Sequence, residues 1–369
     1  MRIVYVLTSL GMGGAERQAL ALAGRMAGRG DTVAVLALKP KLAEEWPTTL
    51  PVCYLNMRKN PISLLAGLIM GRRFLCEFRP DLLHSHSFHT NILARLLKLA
   101  VPATTVLSTV HNICEGGRLR MTAYRLTDGL SCLTTLVSEA AAQRYLRLKA
   151  VFQGRHVVVT NGIDTVEFAP IAERRARMRA WMGAADGEFI WLAAGRIAPA
   201  KDYPNLLRAF ALVQAACPEA QLWIAGEVAG AKIKRAGGFA AEIVSSDRVR
   251  WLGLRRDMPG LLDAADGFVL SSAWEGMPLA VGEAMAMEKP VVATEVGGVR
   301  ELVGEAGVIV PPRDSDALAA AMLDLMRRTP EERRALSRCA RERIESNFSM
   351  DSRADEWEAL YRRVLERKP

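Results

Sequence analysis

The stretch WEGMPLAVGEAMAMEKPVVAT, Trp274–Thr294, places one carboxylate, Glu275, before a Gly-Met-Pro corner and a second, Glu283, in the apolar run behind it. Met277-Pro278 favours a turn, and Leu279 to Glu288 has helical composition closed by Pro290, so Glu275 belongs to a loop and Glu283 to the first turns of a helix. Both then face one crevice, where carboxylates can accept hydrogen bonds from vicinal hydroxyls, Glu283 from a ribose and Glu275 from a sugar ring. A pair of acid/base carboxylates, or stabilisation of a helix terminus by Glu283, are the competing readings. A second set is Arg196 and Lys201 in AAGRIAPAKDYPNLLRAF. A guanidinium fork and an ammonium point charge together can hold a diphosphate, although a solvated basic loop is the plainer alternative.

Three further places carry residue types suited to ligands. In GMGGAER, Gly13 and Gly14 permit close backbone approach before a helix whose N-terminus favours negative charge. Glu16 breaks the G-x-G-x-x-G pattern, and no acidic ribose-binding residue follows at the expected distance. His84, His86 and His89 in HSHSFHTN, and His111 in STVHN, follow apolar runs. Their i, i+2 spacing without a carboxylate or thiolate companion argues against a metal, and none is expected. His111 is the better candidate for meeting a substrate hydroxyl, and His84 reads as a satisfied core residue. Asn161, in NGID, sits in a probable turn on the hinge side. DSD at 314–316 reads as a helix cap.

All these groups must be held at strand ends, and the pattern supplies the strands. RIVYVL, a Gly-rich turn, the helical AERQALALAGRMAGRG and TVAVLAL form a βαβ unit; PDLLHSHS, ATTVLSTVH, LTTLVS and HVVVTNGID continue it. A charged, Ala-rich connector starts near Ala169, and FIWLAAGRI, AQLWIAGE, RVRWLGL, GFVLSSA, PVVATEV and GVIVPP make a second series. The expected fold is α/β, with two doubly wound Rossmann-like domains in tandem, 1–168 and 169–349, and a C-terminal helix at 350–369 packing back toward the first. A chain of 369 residues, half of them hydrophobic, is long enough to fill two cores.

Six scattered cysteines without a Cys-x-x-Cys pair suggest neither a zinc knuckle nor a disulfide framework, so a reducing cytoplasm is the expected setting. The net charge of +9 is uneven: residues 1–169 carry 20 Lys+Arg against 11 Asp+Glu, and the remainder balances at 29 each. That basic half favours an anionic partner such as a phospholipid or lipid diphosphate. With 6% aromatic residues, the chain lacks the interleaved stacking side chains of a nucleic-acid binder.

Together, GMGGAER, NGID, GRIAPAKDYPNLLRAF, WLGLRRDMPGLLDAADGFVLSS and the Glu275–Glu283 spacing resemble the retaining glycosyltransferases of family 4, which have the GT-B fold. The resemblance spans nearly the whole chain. It implies a nucleotide-sugar donor on the second domain, an acceptor on the first and a cleft between them. It places Arg196, Lys201, Glu275 and His111 at the chemistry, with Arg196 and Lys201 on the donor diphosphate and His111 near the sugar's outer hydroxyls. Gly13, Gly14, Leu254, Arg255, Gly276, Met277, Pro278, Leu279 and Glu283 would complete the donor site, with backbone near Leu254 and Arg255 on the base. Candidates for the acceptor or hinge side are Glu16, His86, Asn161, Arg118 and Arg120. The implied reaction is metal-independent transfer of a hexose-type sugar with retention, needing no cofactor beyond a nucleotide-sugar donor, UDP favoured over GDP. Asp202 stands where the family usually has glycine.

The implied acceptor is a saccharide, best read as polyprenyl-diphosphate-linked and serving surface polysaccharide synthesis. A nucleotide-sugar 2-epimerase, a non-catalytic sugar-nucleotide binder and a dinucleotide-dependent dehydrogenase are the alternatives. The enzyme is expected in the cytoplasm, peripheral on the inner membrane. Two segments could meet an anionic lipid face. NPISLLAGLIMGRRFLCEF, with Arg72 and Arg73, reads first as a buried sheet-packing helix. EGGRLRMTAYRL, with Arg118, Arg120 and Arg125, reads equally as docking or core.

Overall fold

The computed structural model describes residues 1–58, 60–185, 187–226 and 247–366. The chain divides into two compact units, Met1–Gly162 with Met350–Pro369, and Ile163–Ser349. Residues 367–369, the end of the expected C-terminal helix, lie outside the described residues.

The first unit is built on seven parallel strands: β1 (Arg2–Leu7), β2 (Thr32–Ala37), β3 (Val52–Tyr54), β4 (Leu82–His86), β5 (Thr105–Val110), β6 (Leu133–Leu136) and β7 (His156–Val158), in the order β3-β2-β1-β4-β5-β6-β7. The order reverses between β1 and β4, the position where open α/β sheets leave a crevice at their carboxyl ends. Its helices are α1 (Gly14–Gly28), α2 (Pro61–Phe78), α3 (Phe88–Ala100), α4 (Arg118–Thr127) and α5 (Glu139–Arg147). The second unit has six parallel strands, β8 (Ile190–Ala194), β9 (Gln221–Ala225), β10 (Val249–Gly253), β11 (Gly267–Leu270), β12 (Val291–Thr294) and β13 (Val308–Val310), in the order β10-β9-β8-β11-β12-β13. Among the described residues its helices are α6 (Ala172–Met182), α7 (Tyr203–Ala216), α8 (Met258–Ala264), α9 (Leu279–Ala286), α10 (Val299–Val303), α11 (Ser315–Arg327) and α12 (Pro330–Asn347). The last helix, α13 (Met350–Glu366), belongs to the first unit.

Strand alternation explains the layering of the first unit. Ile3, Tyr5 and Leu7 of β1 point to one face and pack with α1 and with Trp357, Leu360 and Tyr361 of α13. Val4 and Val6 point to the other and pack with Leu75 of α2 and Leu93, Ala94 and Leu97 of α3. Helix α13 is fixed further by charge: Arg29 reaches Asp355 at 2.7 Å and Glu358 at 2.8 Å, and Arg25 reaches Asp351 at 3.0 Å. Beneath it, the Tyr361 hydroxyl lies 3.0 Å from that of Tyr5 and 2.7 Å from His84 Nδ1. His84 Nε2 continues to Thr109 at 2.7 Å, so His84 is a satisfied core residue.

Helix starts follow their sequence signals. Asn60 accepts from the Ser63 N–H at 2.8 Å with Pro61 at the first helical position of α2, and Asp314 of the DSD triplet accepts from the Ala317 N–H at 2.9 Å to begin α11. Thr329 and Glu332 form a capping box at α12.

Two expectations need correction. Ile163 donates its N–H to Phe348 O at 2.8 Å and pairs with Ser349. Residues 163–168 therefore go with the second unit, and the boundary falls at Gly162 rather than at 168. The segment read as a buried helix, α2, buries only Gly67, Gly71 and Leu75. Ile62, Leu65 and Ile69 are 83%, 60% and 62% exposed. All-round apolarity cannot say which stripe packs; here the two glycines do, because Met57 occupies the space of a Cβ at Gly67 and Leu97 lies 3.4 Å from one at Gly71. Strand β3, at the edge of the sheet, is not among the strands read from the sequence.

Candidate active site

In the second unit the reactive groups gather at the carboxyl ends of β8 and β11. The chain leaves β8 through Gly195, whose φ of +153° suits glycine and whose Cβ would fall 2.5 Å from Lys201 Cε. The 3-10 turn Pro199–Lys201 follows, held against the end of β11 by Ala273 N–H to Ala200 O and the Ser271 hydroxyl to Lys201 O, both 2.8 Å. Lys201 Nζ donates to Glu275 Oε1 at 2.7 Å, and the Ser272 hydroxyl donates to the same oxygen at 2.7 Å. Glu275 Oε2 has no hydrogen-bond partner among the described residues and remains available to a ligand hydroxyl. The two side chains are 21% and 13% exposed, so the pair is shielded yet reachable. Arg196 is exposed and makes no hydrogen bond among the described residues.

The Gly-Met-Pro corner is rigid. Gly276 O accepts from Gly298 N–H at 2.7 Å, and Gly297, at φ +52°, has Glu275 O where a Cβ would stand. Met277 is buried, Pro278 caps α9, and Leu279 opens it; Glu283 lies buried inside that helix. Gly253, at φ +69°, ends β10 and is followed by half-exposed Leu254. Arg255 turns its side chain to Asp257 at 2.6 Å and over the Trp181 ring at 4.9 Å, so that side chain is engaged within the protein.

In the first unit the expected residues separate into two groups. Gly13 precedes α1, exposed Gly14 is its first residue, and the Glu16 carboxylate folds back into the space a side chain at 13 would need. A carboxylate thus already sits near this helix start, as the dipole favours. At the ends of β4 and β5, His86 Nδ1 and His111 Nε2 are 2.9 Å apart. Burial lowers both imidazoles, His86 well below the ordinary range and His111 to about 4. Glu115, which sequence reading passed over, accepts from His111 N–H at 3.3 Å and from the Tyr124 hydroxyl at 2.5 Å. Burial pushes its carboxyl up to about 7. Arg120 donates to Glu115 O at 2.7 Å and lies over the Phe88 ring, so it fastens this loop instead of facing solvent. Arg118 is exposed and Asn161 is buried.

Residues 12–167 match the family described as Glycosyltransferase Family 4, and residues 188–328 match Glycosyl transferases group 1. The chain belongs to the family 4 glycosyltransferases. The transferase is 26% identical over 311 residues to the UDP-Gal:alpha-D-GlcNAc-diphosphoundecaprenol alpha-1,3-galactosyltransferase of Escherichia coli, covering 80% of this chain and 79% of that one. Its fold is shared with sucrose-phosphate synthase of Thermosynechococcus elongatus, TM-score 0.85 at 21% identity over both whole chains. It is shared equally with Alr3699/HepE of Anabaena in complex with UDP and glucose, TM-score 0.84 at 20% identity over 98% of this chain and 99% of that one. The GT-B fold is thereby established for this transferase.

Within the transferase's second unit, the structure brings Lys201 and Glu275 into direct contact, which their separation in sequence does not announce. Ser271, Ser272, Gly195 and Gly297 were not singled out, although the Ser pair at the end of GFVLSS and the Gly directly before Arg196 are visible signals.

Proposed function

We propose that this transferase moves a hexose-type sugar from a UDP-sugar to a polyprenyl-diphosphate-linked saccharide, with retention of anomeric configuration and without a metal ion. The observation that carries the reading is the Glu275 carboxylate with one oxygen taken by Lys201 and Ser272 and the other open, with the unengaged Arg196 five residues before Lys201 in the same turn. Arg196 and Lys201 neutralise charge that grows on the departing diphosphate, the largest electrostatic demand of the reaction. The bond from the anomeric carbon to the diphosphate oxygen breaks, the acceptor oxygen bonds that carbon on the same face, and the acceptor proton passes to the leaving phosphate oxygen. Glu275 Oε2 accepts from a sugar hydroxyl, Glu283 from the ribose, and backbone near Leu254 meets the base. His111 donates to an outer hydroxyl of the sugar.

The donor class is supported by the Escherichia coli relative, named for UDP-Gal, and the Anabaena structure with UDP and glucose. The acceptor class is supported by the diphosphoundecaprenol in that relative's name. A peripheral position on the inner membrane is supported by the exposed Ile62, Leu65, Ile69, Leu119 and Leu126, which share helices with Arg72, Arg118 and Arg125.

Arg196→Ala and Lys201→Ala each lower kcat by about 10² or more, the scale of one lost transition-state donor, while circular dichroism stays native. Radiolabelled transfer from a panel of UDP-sugars, with EDTA present, reads this. Wild-type turnover in either variant removes the assignment, and transfer only from GDP-sugars removes the donor class.

A further inference from the structure

The parallel register that sets His86 opposite Thr109 places His111 just beyond the end of β5, and the two rings share one hydrogen bond of 2.9 Å. The His86 ring is 3% exposed, lying 4.1 Å by centroid from His84 and stacked on His111 at 5.2 Å. Its second nitrogen, Nε2, is buried and has no partner among the described residues. Burial keeps both rings uncharged at neutral pH, so the shared bond holds one proton in one of two arrangements. If His111 Nε2–H donates, the proton of His86 must reside on Nε2, a buried N–H with no acceptor. If His86 Nδ1–H donates, Nε2 of His86 is a bare acceptor and His111 carries its proton on Nδ1. An orphaned buried N–H is the rarer and costlier condition, which selects the second arrangement.

We propose that His86 is a positioning residue that holds His111 as the Nδ1–H tautomer, so that His111 meets its ligand as a hydrogen-bond donor to an oxygen. This rests on the reading of His111 as a residue that touches the donor sugar. Glu115 accepts from the His111 backbone N–H, which fixes the main chain that carries the ring, and the Arg120 and Tyr124 bonds to Glu115 keep the loop from swinging the ring away. A buried His86 acts through His111 and not on the acceptor directly.

The test is 15N NMR of imidazole-labelled protein at pH 7, assigned with His86→Phe and His111→Asn, alongside kinetics of His86→Phe and His86→Asn. Asn keeps a short N–H donor near the place of Nδ1; Phe fills the space without one. The expected spectrum has His111 protonated at Nδ1 and bare at Nε2. His86→Phe then shows a mixture of tautomers and a kcat about tenfold lower with little change in donor KM, and His86→Asn recovers most of the loss. The opposite tautomer in the wild type, or wild-type kcat in His86→Phe, overturns the inference. The spectrum is read without turnover, so a protein with the expected tautomer that transfers no sugar counts against the transferase reading alone.

Discussion

Asp202 shows what one residue's backbone can demand. It sits at φ +44°, ψ +49°, between the Lys201 turn and α7, in the left-handed region. Aspartate tolerates that region better than most residues, though glycine does so without steric cost. Asp202→Gly is therefore neutral or slightly stabilising, and Asp202→Ala loses about 1 kcal/mol. Thermal denaturation of the two variants checks this; a clear loss in Asp202→Gly would show that the carboxylate itself holds the turn. The position was legible in sequence as a departure from glycine, but the reason for glycine there is a dihedral angle. Glu275 teaches a similar lesson: its type and place in a loop were readable, while its bond to Lys201 needed β8 and β11 side by side.

Helices carry the next level. Helix α2 packs through Gly67, Gly71 and Leu75, with Leu68, Phe74 and Phe78 partly buried beside them, and turns Ile62, Leu65 and Ile69 outward, with Arg72 and Arg73 exposed beyond them. On the proposed peripheral reading, this apolar side would enter the headgroup boundary of an anionic bilayer. Ile62→Ser, Leu65→Ser and Ile69→Ser combined should reduce flotation with phosphatidylglycerol liposomes severalfold at low salt and leave the melting temperature nearly unchanged. Equal flotation would place any lipid contact elsewhere, and loss of the native fold would show that the row is core. Helix α13 is the converse case, since its amphipathic pattern and its return to the first unit are expected from the sequence, while the residues it meets there are not. Trp357, Leu360 and Tyr361 meet α1 and β1, more than 300 residues earlier in the chain.

Across the molecule, stability should depend on pH through buried groups of the first unit. His84, His86 and His111 are held neutral, their titration pushed down by burial. Each contributes stability that is present above the unfolded-state value near 6.5 and is lost as pH falls. Glu115, raised to about 7, works in the opposite sense: its contribution is present below the unfolded carboxyl value and lost as pH rises through 7. Between pH 5 and 6 the three imidazoles outweigh the one carboxyl, so unfolding free energy rises with pH. Urea denaturation at several pH values measures this, and a flat profile would contradict it. Glu115→Gln removes the opposing titration and steepens the slope by at most about 1.4 kcal/mol per unit.

The sequence by itself determined the two parallel-sheet units, the strand ends at which ligands gather, the family and the identity of most polar candidates, because strand alternation, Gly-rich turns and caps are local signals. The tertiary structure decided which face of α2 packs, which residues α13 meets on the first unit, that this unit closes at Gly162, and that Glu275 divides its oxygens between Lys201 with Ser272 and open space. It also decided that His86 addresses His111 and that Glu115 titrates near neutrality. Each of these depends on residues far apart in the chain meeting at ångström distances, and burial of a titrating group is a property of its surroundings that residue type alone does not carry.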